Sequence, residues 1–277
     1  AGHRRSQLVR SVGGRRVGMN IVVLVKQVPD TWAERKLRDD DKTLDRDSVD
    51  AVINEVDEFA IEAALQLQEA NGGTVTVLSM GPERATEAVR KGLQMGADGG
   101  VLVTDDAGHG ACALQTSEIL AAAVGQLEYD LVITGSESSD ARLSIIPAML
   151  AERLGVPGLT AARKLTVDGS TVTIERLTDY GYDVVEAATP AVVSVLEKIN
   201  EPRYPTFKGI MQAKKKPIDT KTLADLGVEA GSVGLAAASS VVTEFAPKPP
   251  RQAGEVVTDE GDGGKKIAEY LIAQKVV

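Results

Sequence analysis

Cysteine, histidine and aromatic residues are scarce in this 277-residue chain, and long apolar runs are missing. A single cysteine, Cys112, excludes a disulfide within the chain, fits a reducing compartment and reads as a buried structural thiol. Of the two histidines, His3 lies in an Arg-rich N-terminal stretch. His109 stands in a Gly-rich loop with no Cys or second His nearby, so no metal-ligand spacing is present. Aromatic residues make up 3% of the chain, with Trp32 the only tryptophan. No apolar run approaches the roughly 20 residues that a membrane span requires. The sequence also lacks a Gly-x-Gly-x-x-Gly fingerprint and a Walker loop, and Ser138 and Ser139 do not form a Gly-x-Ser-x-Gly elbow. Nothing nominates a nucleophile or a general base.

What is present describes a globular chain. Apolar residues are 43%, and the formal net charge is -9. That acidity argues against nucleic acid as a partner, because a phosphate backbone rewards a basic face. Lys214-Lys215-Lys216 is the one dense basic cluster of the body, and a solvated helical face accounts for it. The first eighteen residues carry Arg4, Arg5, Arg10, Arg15 and Arg16 and no acid, the composition of a mitochondrial transit peptide. That likeness is superficial, and the favoured reading is a disordered or non-native upstream extension, since Met19 stands directly ahead of a strand where a natural start belongs. Residues 1–18 are therefore set apart from the fold.

Asn20 to Val25 is a continuous apolar run, the mark of a strand buried on both faces of a parallel sheet. Lys26 to Asp30 reads as a loop at its carboxyl end, where open α/β sheets bind ligands. The mixed charges from Arg35 to Arg46 read as an exposed excursion. Val49, Val52, Ile53, Val56, Phe59, Ala60, Ala63, Ala64 and Leu67 recur at helical spacing, and Asn71-Gly72-Gly73 stops that helix. Further strands are expected at 74–79, 100–103 and 130–134, with helices opening at Pro82, spanning 111–124, and running from the Gly135–Asp140 loop to Leu154. This alternation predicts a doubly wound, Rossmann-like parallel sheet. From Leu159 the pattern changes to period-two segments at 161–167, 171–177 and 184–188, with Asp168-Gly169 as a hairpin signal, an antiparallel extension. Pro190 to Val195 reads as another buried strand. Ser232 to Gly264, rich in Ala, Ser, Pro and Gly, reads as an extended arm, and 267–276 as a last helix.

Two stretches stand out. Gly135 to Ser144 joins a buried strand to a helix, a natural phosphate seat of backbone N–H groups, with Asp140 as the expected N-cap. The other is Leu196 to Lys216, where Pro202 and Pro205 break regular structure around Arg203 and Tyr204. Ile199 there is an isolated apolar residue, so the loop reads either as a docking element with one apolar knob or as an ordinary surface loop with a basic tail.

Asn200-Glu201-Pro202-Arg203-Tyr204, followed by Ala213-Lys214-Lys215-Lys216, resembles the C-terminal signature of the electron transfer flavoprotein β-subunit family. Val25-Lys26-Gln27-Val28-Pro29-Asp30, Gly81-Pro82-Glu83 and Met95-Gly96-Ala97-Asp98 fall in the family's order, and the similarity runs from about Met19 to the C-terminus. The resemblance implies an α/β nucleotide-binding domain of the adenine-nucleotide-binding type over 19–216 that includes a recognition loop at 196–205. It implies a C-terminal arm over 217–277 that packs on an α subunit.

In function, it implies an electron carrier rather than an enzyme. Such a heterodimer holds one FAD, mostly through the α subunit. It takes electrons from flavin dehydrogenases such as the acyl-CoA dehydrogenases of fatty acid β-oxidation and delivers them to a quinone oxidoreductase. Ile199 would be the docking anchor, with Asn200, Glu201, Pro202, Arg203 and Tyr204 around it. A buried AMP would be held by Leu24, by Asn54, Glu55, Val56 and Asp57, by Met80, and by Gly135, Ser136, Glu137, Ser138, Ser139, Asp140, Ala141, Arg142, Leu143 and Ser144. The location would be the bacterial cytoplasm, or the mitochondrial matrix if residues 1–18 are a transit peptide.

This chain departs from many family members at Ala141 to Ile146, where an Asp-rich stretch and a Gln-Thr pair, or a run of glycines, is frequent. Leu143 and Ile145 would crowd a phosphate there, whereas Arg142 would pair with one. Two rival readings follow: an electron-bifurcating β subunit with a second FAD in place of AMP, and a stand-alone adenine-nucleotide-binding protein. Trp32, Tyr180 and Tyr182 are candidate neighbours of a flavin ring, or ordinary packing.

Overall fold

A computed structural model describes residues 18–250, 254 and 256–276. His3 and the arginines of the N-terminal stretch lie outside the described residues. The first strand, β1 (Met19–Leu24), is followed by a short ribbon of β2 (Gln27–Pro29) and β3 (Ala51–Ile53), paired antiparallel. Then come α1 (Glu55–Asn71), β4 (Gly73–Met80), α2 (Thr86–Met95), β5 (Gly99–Val103), α3 (Ala113–Gly125), β6 (Leu131–Gly135) and α4 (Ile146–Leu154). The chain continues through β7 (Gly158–Asp168), β8 (Thr171–Thr178), β9 (Gly181–Ala188), β10 (Ala191–Val195), α5 (Phe207–Ala213) and β11 (Ile218–Lys221).

Apart from the β2–β3 ribbon, the strands form one sheet in the order β11-β5-β4-β1-β6-β10-β7-β8-β9. Pairings from β11 to β7 are parallel, and β7-β8-β9 close the sheet as an antiparallel meander. The expected doubly wound sheet with its antiparallel extension is what forms. Both faces are covered, which explains the unbroken apolar runs. Ile21 and Val23 face Ala60, Ile61, Val89 and Leu93 of α1 and α2, whereas Val22 and Leu24 face Ile119, Leu120 and Leu150 of α3 and α4. The strand order reverses between β1 and β6, so the carboxyl ends of these two strands flank the crevice where open α/β sheets take ligands.

Several expectations shift. Val49, Val52 and Ile53 do not belong to the first helix: 51–53 extend as β3, and the Asn54 N–H donates to the Lys26 carbonyl at 2.8 Å before α1 begins. Residues 27–29, expected as loop, are the other half of that ribbon. The helix after β6 starts at Ile146, so Asp140 is not its N-cap; Ile145 takes that position without a side-chain cap, and Pro147 sits in the first turn. Cys112 is half-buried at the N-terminus of α3, where its N–H donates to Gln115 Oε1 at 3.0 Å. Lys214 and Lys215 are exposed, but the Lys216 ammonium donates to the carbonyls of Gly96 and Ala97, the end of α2.

The break expected after residue 216 falls later. β11 adds an edge strand beside β5, Leu223 and Val233 are buried, and the body runs to Val242. The second unit, from Thr243, contains α6 (Gly263–Ala273), which begins earlier than 267 and leaves Ile267 and Tyr270 exposed.

Candidate functional site

The crevice beyond β1 and β6 is organised by two side chains of the α1 start. Asn54 is buried, and its amide spans the gap: Nδ2 donates to the Glu137 carbonyl and to Asp57 Oδ1, both at 2.9 Å, while Oδ1 accepts from the Ser139 N–H at 3.0 Å. Asp57, also buried, accepts from the Lys26 N–H at 2.8 Å. Burial pushes the Asp57 carboxyl up to about 7, against the hydrogen bonds from Asn54 and the Lys26 backbone. Its carboxylate lies directly over Gly135, where a Cβ would stand 2.4 Å from Oδ1. Only glycine fits there, and the reason is this carboxylate.

The outer wall is ionic. Lys26 Nζ donates to Asp140 Oδ1 at 2.9 Å and to Ser138 Oγ at 3.3 Å, and Arg46 Nη2 reaches Asp140 Oδ2 at 2.5 Å. The Asp140 side chain is 1% exposed. Burial raises its carboxyl, but the charges of Lys26 and Arg46 outweigh that and hold it well below the usual carboxylate range. Burial lowers the Lys26 ammonium against the pull of Asp140. Arg84, paired with Asp47 at 3.6 Å, donates to the Arg46 carbonyl and fixes the 31–50 excursion from the other side. The excursion is therefore anchored at its base, and a second contact, His109 Nε2 to Asp41 at 2.7 Å, holds its middle. Between these groups remains a cleft of about 90 Å³ lined by Lys26, Gln27, Arg46, Met80, Gly81 and Arg84.

Of the residues expected here, Asn54, Asp57, Gly135, Glu137, Ser138, Ser139 and Asp140 converge. Leu24 and Val56 point into the core, Met80 lines the cleft, and Ser136 continues the sheet through its N–H to Val195. Glu55 and Ala141 are exposed, as are Arg142, Leu143 and Ser144, the first and last of these with positive φ of 49° and 55°. Ser144 Oγ donates to Glu137 at 3.0 Å. The Ser139 hydroxyl is buried without a partner. Sequence reasoning missed Lys26, Arg46 and Arg84 as site residues. Lys26 carried a signal, since it follows the first strand; the two arginines carried none.

The second region is the segment from Leu196 to Ala213. Arg203 clamps it to α1: Nε and Nη2 bond both oxygens of Glu62 at 2.7 and 3.0 Å, and Nη1 bonds Glu69 at 2.6 Å. Glu62 is 5% exposed, and burial raises its carboxyl before the bidentate Arg203 brings it below the usual value. Asn200 Nδ2 donates to the Phe59 carbonyl at 3.0 Å. Ile199 is half-buried against the core rather than standing free, Glu201 is exposed, and Pro202 is half-buried. The apolar groups that face outward are Tyr204, 92% exposed, and Phe207, 80% exposed, followed on α5 by Ile210 and Met211. Thr206 caps α5 by accepting from the Gly209 N–H at 3.0 Å.

A third exposed surface lies on the meander, where Tyr180, Tyr182 and Val184 are open and Arg163 stacks over the Tyr182 ring at 4.1 Å. Trp32, in the excursion, is 96% exposed. No described helix is long and apolar enough to cross a membrane.

The family model described as "Electron transfer flavoprotein domain" matches residues 41–226. The electron transfer flavoprotein subunit beta of Mycobacterium tuberculosis (strain H37Rv) is 56% identical over 264 residues, 93% of this chain and 99% of the relative. That of Clostridium acetobutylicum is 38% identical, covering 92% and 97%. The caffeyl-CoA reductase-Etf complex subunit CarD of Acetobacterium woodii is 35% identical over the same shares. With over half its length matched by the family model and nearly all of it aligned with these subunits, the chain belongs to the electron transfer flavoprotein β-subunit family.

Proposed function

We propose that this chain is one half of a heterodimeric electron carrier. Its α subunit holds most of a shared FAD, and the dimer moves electrons from flavin dehydrogenases, acyl-CoA dehydrogenases among them, to a quinone oxidoreductase. The observation that carries this reading is the match at 56% identity with β subunits over 99% of their length. A cytoplasmic location goes with it.

For the flavin, the fit on this side is a wall rather than a cradle. The chain offers exposed aromatic surface at Trp32, Tyr180 and Tyr182, and the wider of two described clefts, about 370 Å³ between β3 and α2, sets Ala51, Val52 and Ile53 against Glu87, Arg90, Lys91 and Gln94 of α2, with no aromatic side chain in its lining. Such a wall suits a cofactor whose binding rests on the partner subunit. When bound, the FAD supplies the redox chemistry; this chain's residues position the partners around it.

The docking role belongs to the segment clamped by Arg203. Arg203 and the Asn200 amide nitrogen hold the loop to α1, and Ile199 packs beneath it as an internal support. Tyr204 and Phe207 then present apolar area at low entropic cost, with Lys208, Lys214 and Lys215 exposed along and just after α5. A dehydrogenase with an apolar pocket and an acidic rim is the partner this surface fits. The exposed Ile267 and Tyr270 of α6 are one turn apart and serve as the apolar face with which the arm lies on the α subunit.

Co-expression with the α subunit, followed by flavin quantitation and reduction by an acyl-CoA dehydrogenase with its substrate, tests the reading. One FAD per heterodimer that is reduced by the dehydrogenase and reoxidised by the quinone oxidoreductase is the expected result. Two FAD per heterodimer would establish the bifurcating alternative, and a stable flavin-free monomer that hydrolyses ATP would overturn the carrier reading.

A further inference from the structure

The crevice between β1 and β6 is where a nucleotide-binding α/β sheet places its ligand, yet its cations already have an anion. Lys26 and Arg46 are the two positive side chains that reach the loop after β6, and both end on the carboxylate of Asp140, at 2.9 and 2.5 Å. That carboxylate is 1% exposed, so it sits inside the crevice and not on its rim. A phosphate brought to the same cations would meet a like charge within a few ångströms, in a partly desolvated setting where repulsion is strong.

The remaining phosphate contacts are weakened as well. The helix that would supply free N–H groups opens only at Ile146, and Pro147 removes one donor from its first turn. The residues that lead into it, Arg142 and Ser144, take up left-handed φ, and Leu143 and Ile145 turn outward to solvent. Arg142 is exposed there, outside the set of groups that converge on the crevice. The cleft left between Lys26, Arg46, Met80 and Arg84 is about 90 Å³, against the roughly 300 Å³ or more of ordinary ligand pockets. The residues present do not fit an adenine mononucleotide.

We propose that Asp140 is a built-in anion that closes this nucleotide site: its carboxylate replaces the phosphate as the counter-charge of Lys26 and Arg46, so the subunit folds and pairs without AMP. The excursion from 31 to 50, which in this arrangement is fixed by Arg46 to Asp140, is held by the chain itself and not by a ligand. The latent site persists underneath. Asn54 still joins α1 to the loop, and the buried, unpartnered Ser139 hydroxyl is a ready donor once the carboxylate is gone.

The test uses the heterodimer with its α subunit, purified without added nucleotide. FAD and AMP released on denaturation are quantified, and binding of radiolabelled AMP is measured by equilibrium dialysis for the wild type, Asp140→Ala and Asp140→Asn. The expected result is FAD without AMP in the wild type and no AMP binding up to millimolar concentration. Asp140→Ala should then bind AMP at least roughly tenfold more tightly than the wild type, a gain worth one charge-assisted pair, and should lose it in high salt. Asp140→Asn keeps the side-chain volume and removes only the charge. It carries the test if the alanine variant does not fold, and it should show the same gain to a smaller degree. One AMP per wild-type heterodimer, or folded variants with no gain in AMP affinity, would overturn the proposal. FAD content separates this from the carrier reading: a heterodimer without FAD defeats the carrier, whatever the AMP result.

Discussion

The crevice at β1 and β6 and the segment from Leu196 to Ala213 solve opposite problems with the same kind of bond. In both, a buried carboxylate is held by a guanidinium: Asp140 by Arg46, with Lys26 added, and Glu62 by Arg203. In the crevice, the pairing turns polar groups inward and leaves little open volume. In the segment, it fastens the backbone to α1 and leaves Tyr204 and Phe207 in solvent. The difference shows what each region is prepared for. Cations and carboxylates that are paired with one another leave little charge for a ligand, whereas apolar groups kept exposed on a fastened loop are unsatisfied until a partner covers them.

Breaking the clamp should have the largest effect. Arg203→Ala leaves Glu62 buried without its partner and should cost about 3 kcal/mol in urea denaturation, together with loss of dehydrogenase docking. If stability is unchanged, the loop is not held by this pair. Asp140→Ala removes the carboxylate from two cations that are about a third exposed, so solvent softens the penalty; about 1–2 kcal/mol is expected from the same measurement.

The pH dependence separates the two carboxylates within the crevice. Asp140, depressed in the folded state, contributes stability that is present above its unfolded value near 4 and is lost as pH falls through its lower folded value. Asp57, raised to about 7 by burial, works the other way: its ionisation in the folded protein is penalised, so its contribution falls as pH rises from about 4 to about 7. Asp57→Asn should therefore flatten the loss of stability between those pH values, and denaturation curves at successive pH values would show it. An unchanged slope would place the titration elsewhere.

The finest contrast lies within the docking segment. Tyr204→Ala should slow electron transfer from the dehydrogenase by the loss of an anchor worth on the order of 1–2 kcal/mol, with stability within about 0.5 kcal/mol of the wild type. Ile199→Ala, half-buried against the core, should instead lower stability by about 1–3 kcal/mol and affect transfer through the loop it supports. Stopped-flow transfer kinetics set beside urea denaturation distinguish the two. A purely kinetic effect at Ile199 would make it a direct contact.

Much of the fold was legible because local chemistry specifies it. Ile21 to Val25 and Leu131 to Ile133 are uniformly apolar since both faces of the sheet are covered, and the hairpin near Gly169 is written in turn residues. The start of α1 is not legible locally, because Val49, Val52 and Ile53 satisfy a helical period by chance, while pairing with β2 draws 51–53 into a strand. Asp140 has the right residue type for an N-cap, but a stronger long-range ionic demand claims it.

The sequence by itself determined the central strands and the helices between them, the acidic balance and, through Asn200 to Tyr204, the family. Those features depend on near neighbours: side-chain period, turn residues and short motifs. Tertiary structure alone decided which charges meet. Lys26 and Asp140 are 114 residues apart, Arg46 and Asp140 are 94 apart, and Glu62 and Arg203 are 141 apart. An ion pair has no periodicity along the chain, and any of the many acids could have met any of the bases. The strand order that reverses between β1 and β6 brought these particular groups together, and with them came a closed crevice on one side and a fastened, exposed loop on the other.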